Sequence, residues 1–312
     1  MKWPLIRILP REFHIDFVRL APFAAIISAL LVLGSIGSFV AQGLNFGIDF
    51  VGGTAIEVRT KGPVPLGELR AAVPAAGGHD AQVQGFGRPD TAIVRFRTEG
   101  NAFQAAEQVK QKLAVKFPGM EFKPPVVVGP KVSGELMSGG FMALGIALVL
   151  MLGYIWFRFQ LQFGLGAVVA VFHDIVLTLG LLSITQIEFS MTSIAALLTV
   201  IGYSMNEKVI TFDRLRENLR KYKTTPLREV INKSENERLS RTLITGSTAI
   251  LALAGAMFLG GPVLFPLVST MVFGIVIGTY SSVYVALPII LLWGVKRNDE
   301  PAEPLKPASV RP

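Results

Sequence analysis

Asn206, Glu207 and Lys208 stand where an apolar helix should still lie in hydrocarbon, inside the run SMTSIAALLTVIGYSMNEKVITFDR that begins at Ser190. A charged side chain at the bilayer centre costs roughly 2.5–3.5 kcal/mol on insertion scales, so a chain keeps one there for a partner, a water cavity or a transported charge. The chemistry on offer is proton uptake and release by Glu207. The other reading is a static polar cluster, in which Glu207 pairs with a neighbouring helix and only fixes packing. Lys208 lies one residue on, about 100° round a helix, so it does not face Glu207 directly. Its long stem allows it to snorkel toward the cytoplasm.

Two further sets bear on this site. Arg241, in RLSRTLITGST, stands at the start of a later apolar run. It either reaches Glu207 across a bundle and sets its proton affinity, or flanks the membrane as a positive-inside residue, as the neighbouring Arg238 is read to do. His173 and Asp174, in VVAVFHDIVLTL, have Thr178 as their one polar neighbour in sequence and so must face a bundle interior. They serve either as relay members or as a hydrogen-bonded pair anchoring their helix. Residues 47–54, GIDFVGGT, superficially resemble a phosphate loop but lack the GK[ST] ending. A turn into a strand is the reading here, with Asp49 capping it or meeting another subunit.

The elements that position these groups follow from composition. The 312 residues are 51% hydrophobic and 17% charged, with a mean hydropathy of +0.52. That describes a polytopic membrane protein with one modest soluble insert. Net charge is +8. The Lys and Arg residues sit in short links, as the positive-inside bias predicts, which argues against nucleic acid. With no Cys, disulfides and thiolate metal sites are excluded, and three scattered His residues argue against a metal cluster.

Six spans are predicted. Residues 1–20 carry Lys2, Arg7, Arg11 and Arg19 against Glu12 and Asp16, and are placed in the cytoplasm. The first span covers 21–41 and is an uncleaved anchor, being longer than a signal h-region. Gly34 and Ser38 offer it a small-xxx-small face. Residues 42–134 are charged throughout and read β-α-β-β-α-β, a ferredoxin-like domain on the periplasmic side. Its second helix sets Phe103, Ala106, Val109 and Leu113 on one face. Spans two to six fill 135–295, with a basic cytoplasmic loop at 213–240. Gly274 and Gly278 form a GxxxG pair in the sixth span, and Pro288 is set to kink it. The tail 296–312, rich in Pro and polar residues, is expected to be disordered.

FGIDFVGGT, GPKVSGEL, FHD, IGYSMNEKVITFDRLREN, LSRT and VIGTYSS fall in order along nearly the whole chain. In these blocks the sequence resembles SecF, the smaller subunit of the SecDF protein-export complex, within the resistance-nodulation-division superfamily. The resemblance implies six membrane helices, a ferredoxin-like periplasmic domain, no cofactor and no enzymatic activity, in a bacterial inner membrane. It implies a heterodimer with SecD beside the SecYEG channel, with YajC as an associate and unfolded preprotein as substrate, driven by the proton motive force. The family's relay acid falls on Glu207, in a block usually ending in Asp, and its Arg partner on Arg241, with Asn206, Asp174 and His173 in support. A third acid comes from SecD. Glu for Asp lengthens the reach at 207 by one methylene, and Glu235 and Arg238 add charge that the family pattern does not call for. The alternatives are a proton-coupled exporter of small molecules or lipids from the same superfamily, and a non-transporting membrane scaffold.

Overall fold

A computed structural model describes residues 13–97 and 101–295, without the side chains of residues 261–263. Residues 1–12 and the tail 296–312 lie outside the described residues.

Among the described residues, five helices are long and apolar enough to cross a membrane: α1 (Phe17–Gln42), α5 (Pro130–Arg158), α6 (Leu161–Thr185), α8 (Leu227–Leu259) and the run Leu264–Trp293. That last run comprises α9 (Gly261–Ser281), a π turn (Ser282–Ala286) and α10 (Leu287–Trp293). α7 (Met191–Lys221) is equally long but carries Glu207 and Lys208 in its apolar half and Asp213, Arg214, Arg216 and Glu217 beyond. It packs against α5, α6, α8 and α9.

Close approach in the bundle depends on small residues. A side chain on Gly278 would meet the Ser204 backbone at 3.1 Å, and one on Gly274 would run into Val200. The GxxxG pair therefore joins α9 to α7 within the chain. On α1 the intimate residue is Ser35, which rests on Gly180 of α6, while Gly34 faces open space. Ser38 bonds Ser183 at 2.8 Å.

The basic stretch 213–240 is helical on both sides of a short link at 222–226. Its charges hold an antiparallel hairpin together: Arg214 pairs with Glu217 one turn on and with Glu237 across the hairpin at 2.8 Å, and Asn218 donates to Ser234 at 3.0 Å. The reading of 213–240 as a loop is thereby corrected: Leu215, Leu219, Val230 and Ile231 bury an apolar face of the hairpin, and the ion pairs flank it.

The same hairpin anchors α1. Asp16 accepts from the Arg19 backbone at 3.0 Å and from Asn232 at 2.7 Å, while Asn232 caps the Val18 amide and Asn236 the Ile15 amide. The backbone hydrogen bond from Arg19, then the side-chain bond from Asn232, hold the Asp16 carboxyl below the usual aspartate range. Its contribution to anchoring is therefore complete above about pH 4 and is lost as pH falls through the lowered value. Amide exchange at Val18 and Arg19, corrected for its intrinsic pH dependence, is expected to lose protection only in that acid range and to be insensitive to pH in Asp16→Asn.

The insert comprises the short α2 (Ile48–Val51), β1 (Gly53–Arg59), α3 (Leu66–Ala76), β2 (His79–Phe86), β3 (Arg88–Arg97), α4 (Ala102–Lys116), β4 (Glu121–Phe122) and β5 (Val126–Val128). The sheet is antiparallel in the order β2-β3-β1-β4, with β5 also on β1. Ile56, Val58, Val94 and Phe96 on the strands meet Leu69, Val73, Val109 and Leu113 on α3 and α4. Phe103 lies outside this core, exposed. Both edges are blunted against further pairing: β2 has two register shifts, and Lys123, Pro124 and Pro125 split the last strand in two. Gly52 and Gly53 (φ 69° and 121°) turn the chain from α2 into β1 in a backbone conformation that favours glycine.

This sheet domain is fastened to the link 186–190 between α6 and α7. Phe46 bridges Phe189 in parallel, Asp49 accepts from the Met191 amide at 3.0 Å, and buried Arg95 on β3 pairs with Glu188. Asp49 thus caps α7, not the first strand. Phe46, Phe50, Phe141 and Phe189 close an aromatic cluster beneath.

Candidate functional site

Among the described residues, two ion clusters lie inside the bundle. The first is built on α7 and α8. Glu207 is 1% exposed, and its Oε2 accepts from Thr242 at 3.0 Å and from Arg238 Nη1 at 3.4 Å. Arg238 also grips Glu235, with Nε at 2.8 and 2.9 Å and Nη2 at 2.6 Å. Its remaining donors go to Thr242 at 2.8 Å and Ser282 at 3.0 Å. Glu207 Oε1 has no hydrogen-bond partner. Two carboxylates against one guanidinium leave a formal excess of one negative charge, and an uncompensated charge in the interior costs several kcal/mol. One proton balances the set.

The second cluster is built on α6, α7 and α9. Asp174 Oδ2 accepts from Lys208 Nζ at 2.9 Å, from Ser281 at 2.7 Å and from Ser204. Lys208 is fully buried and also donates to Ser281 at 3.0 Å and to Ser204. Asp174 Oδ1 lies 3.0 Å from His173 Nδ1. The His173 ring stacks on Tyr280, and its Nε2 has no partner. One acid and one ammonium balance here without a proton.

The π turn ties the clusters together. Pro288 in a regular α-helix would clash with the carbonyl of Tyr284 four residues back, and the wide turn at 282–286 directly precedes it. Ser281 enters the Asp174 cluster and Ser282 the Arg238 cluster. The adjacent Glu207 and Lys208 divide in the same way, so α7 and α9 each serve both sites.

Glu207 is therefore inside a cluster, while His173 and Asp174 form a separate one with Lys208. Asn206 is exposed on the outer face of α7. Arg241 is exposed as well, about 100° round α8 from Thr242, and does not reach Glu207. Arg238 takes that place, because it shares a helix face with Glu235 and Thr242 at spacings of three and four. Lys208 does not snorkel: Asp174, 34 residues earlier, holds it in the interior. Glu235 is the buried acid that sequence reasoning did not assign, although a Glu–Arg pair three apart beside Val230 and Ile231 marks a buried helix face. Thr199, Gly202 and Asn206 on α7 and Arg241, Thr245 and Thr248 on α8 form an exposed stripe of small and polar groups.

The chain matches two family profiles: "Protein export membrane protein SecD/SecF, C-terminal" over residues 108–296, and "SecD/SecF GG Motif" over residues 37–64. It is 42% identical over 304 residues to the protein translocase subunit SecF of Cereibacter sphaeroides, covering 94% of each chain. The SecF subunit of Rhodobacter capsulatus is also 42% identical, with 96% of this chain and 95% of that one covered. Among solved structures, SecDF of Thermus thermophilus superposes with a TM-score of 0.82 at 32% identity, covering 92% of this chain and 39% of that one. SecDF in its super-membrane-facing form gives 0.66 at 30% identity, over 94% and 40%. The chain thus spans about two-fifths of the length of those SecDF chains. With both profiles, full-length relatives and the bundle architecture in agreement, the chain belongs to the SecD/SecF family of protein-export membrane proteins.

Proposed function

We propose that the chain is an accessory subunit of the Sec translocase that works with SecD and uses the proton motive force to promote late steps of protein export. The observation that carries this is Glu207, a carboxylate buried in a helix bundle with one oxygen on Arg238 and Thr242 and the other unpartnered. Protonation of Glu207 from the periplasmic side loosens its hold on Arg238, the helices shift, and the sheet domain moves with them. One elementary charge crossing 100 mV supplies roughly 2.3 kcal/mol, enough to bias a two-state rearrangement by more than tenfold.

Six spans follow if α7 crosses beside the five apolar helices, with its ionisable residues turned inward. An even count sets both termini on one side, and the basic links assign that side to the cytoplasm; the 42–134 insert then lies in the periplasm of a bacterium, with the bundle in the inner membrane. The β-α-β-β-α-β element order and the strand order support a ferredoxin-like insert. The exposed stripe carrying Asn206 and Arg241 suits a protein face better than lipid, since polar groups at that depth require partners. SecD is assigned to it, with Arg241 meeting a SecD acid. SecYEG, YajC and the emerging unfolded chain complete the assembly, which moves substrate and makes or breaks no covalent bond.

The test is Glu207→Gln in vesicles carrying the full translocase, with export measured with and without an imposed proton gradient. The gradient-driven increment is expected to fall at least tenfold, while Glu207→Asp retains it. An undiminished increment in Glu207→Gln would refute the proposal.

A further inference from the structure

The geometry points to Glu235 as a second proton-carrying acid of this chain, exchanging one proton with Glu207 across Arg238. The inference rests on the proton-driven reading above and supplies the step by which the proton leaves Glu207. Glu235 is 0% exposed, on the same guanidinium as Glu207. The guanidinium is unequally shared: its Glu235 contacts are 2.6–2.9 Å, and its Glu207 contact is 3.4 Å. The tight pair is Glu235 with Arg238, and the carboxyl with a free oxygen is Glu207. A single proton that neutralises the set therefore finds its open acceptor at Glu207 Oε1 in this arrangement.

In the exchange the O–H bond of Glu207 breaks and an O–H bond forms on Glu235. Arg238 turns its donors from Glu235 to Glu207 as this happens. The proton count and the total charge of the three groups are unchanged, so no uncompensated charge is created in the interior. The transfer has a direction. Glu235 is seven residues nearer the start of α8 than Thr242, which touches Glu207, or about 10 Å along the helix. From there polar groups continue toward the exposed hairpin: Ser234 bonds Asn218, Asn218 donates to Glu237 at 2.6 Å, and Glu237 meets Arg214.

Lys208 lies within electrostatic reach of both Glu207 and Arg238. Lys208 and Asp174 are committed to each other, with His173 on Asp174 and Tyr280 on His173. Tyr203 lies within electrostatic reach of Glu207, and Tyr284 of Glu235. α1 brings Asp16 and Arg19 at its exposed start, where Asp16 is held by Asn232.

The experiment is Glu235→Gln in the full chain, assembled with SecD and the translocase in vesicles and assayed for gradient-driven export. The increment is expected to fall at least tenfold, and Glu235→Asp to restore much of it. A wild-type increment in Glu235→Gln, with Glu207→Gln inactive, overturns the exchange and leaves the proton-driven reading standing. Wild-type increments in both variants overturn both. If Glu235→Gln does not fold, infrared spectroscopy of the purified chain with isotope-labelled glutamate decides. One protonated buried glutamate is expected in the wild type at neutral pH and none in Glu207→Gln. Its persistence in Glu207→Gln, or its absence from the wild type, overturns the exchange.

Discussion

Lys208→Met is expected to destabilise the bundle by about 3–5 kcal/mol, because it strands the Asp174 carboxylate in the interior without its cation. Asp174 would keep Ser204, Ser281 and His173 as partners, but two hydroxyls and an imidazole do not replace the buried ammonium. Pairing the change with Asp174→Asn removes both charges and leaves an amide that the same two serines can satisfy. The double variant should recover most of the loss, as expected when both members of a buried ion pair are replaced. Denaturant unfolding of the purified chain in detergent, run on the two single variants and the double, measures this coupling. A Lys208→Met variant that unfolds at the wild-type midpoint would show that the Asp174 contact does not hold Lys208.

The second large effect separates two arginines three residues apart. Arg238→Gln leaves Glu207 and Glu235 facing each other without a cation, and is expected to cost about 3–5 kcal/mol in the isolated chain. Arg241→Gln touches an exposed side chain and should change that stability by no more than about 0.5 kcal/mol. The order reverses when SecD is present: Arg241→Gln is expected to weaken co-purification with SecD, since its guanidinium lies on the exposed polar stripe. Thermal unfolding of the chain alone and capture by tagged SecD read the two effects separately. Equal destabilisation by both variants in the isolated chain would contradict the geometry.

The reach of sequence reasoning here follows the distance over which each signal acts. The alternation in TAIEVR and TAIVRFRT marks β1 and β3 because side chains on a strand change face at every residue. Long apolar runs mark the helices for a similarly local reason. Glu207 was legible as a site because its cost at that depth is a property of one position. The partner of Lys208 was not, since Asp174 lies on another helix and nothing in the intervening residues records the contact. Arg241 drew attention through the LSRT block, yet helix phase turns it outward and Arg238 inward. That phase was available in the spacing of Glu235, Arg238 and Thr242, and was masked by reading 213–240 as a loop. The π turn was less accessible still, because a serine pair ahead of Pro288 is also compatible with a plain kink.

The fastening of the sheet domain to residues 186–190 has a mechanical consequence. This link joins α6, which carries Asp174, to α7, which carries Glu207 and Lys208. The stretch of α6 from Asp174 to Thr185 is about 16 Å long, so a 5° tilt about the buried cluster displaces its end by about 1.4 Å. Arg95, Phe46 and Asp49 grip the protein at that moving end. In such a tilt the sheet would ride on the moving end rather than on the pivot, and its far edge would sweep a longer arc than the helices beneath it.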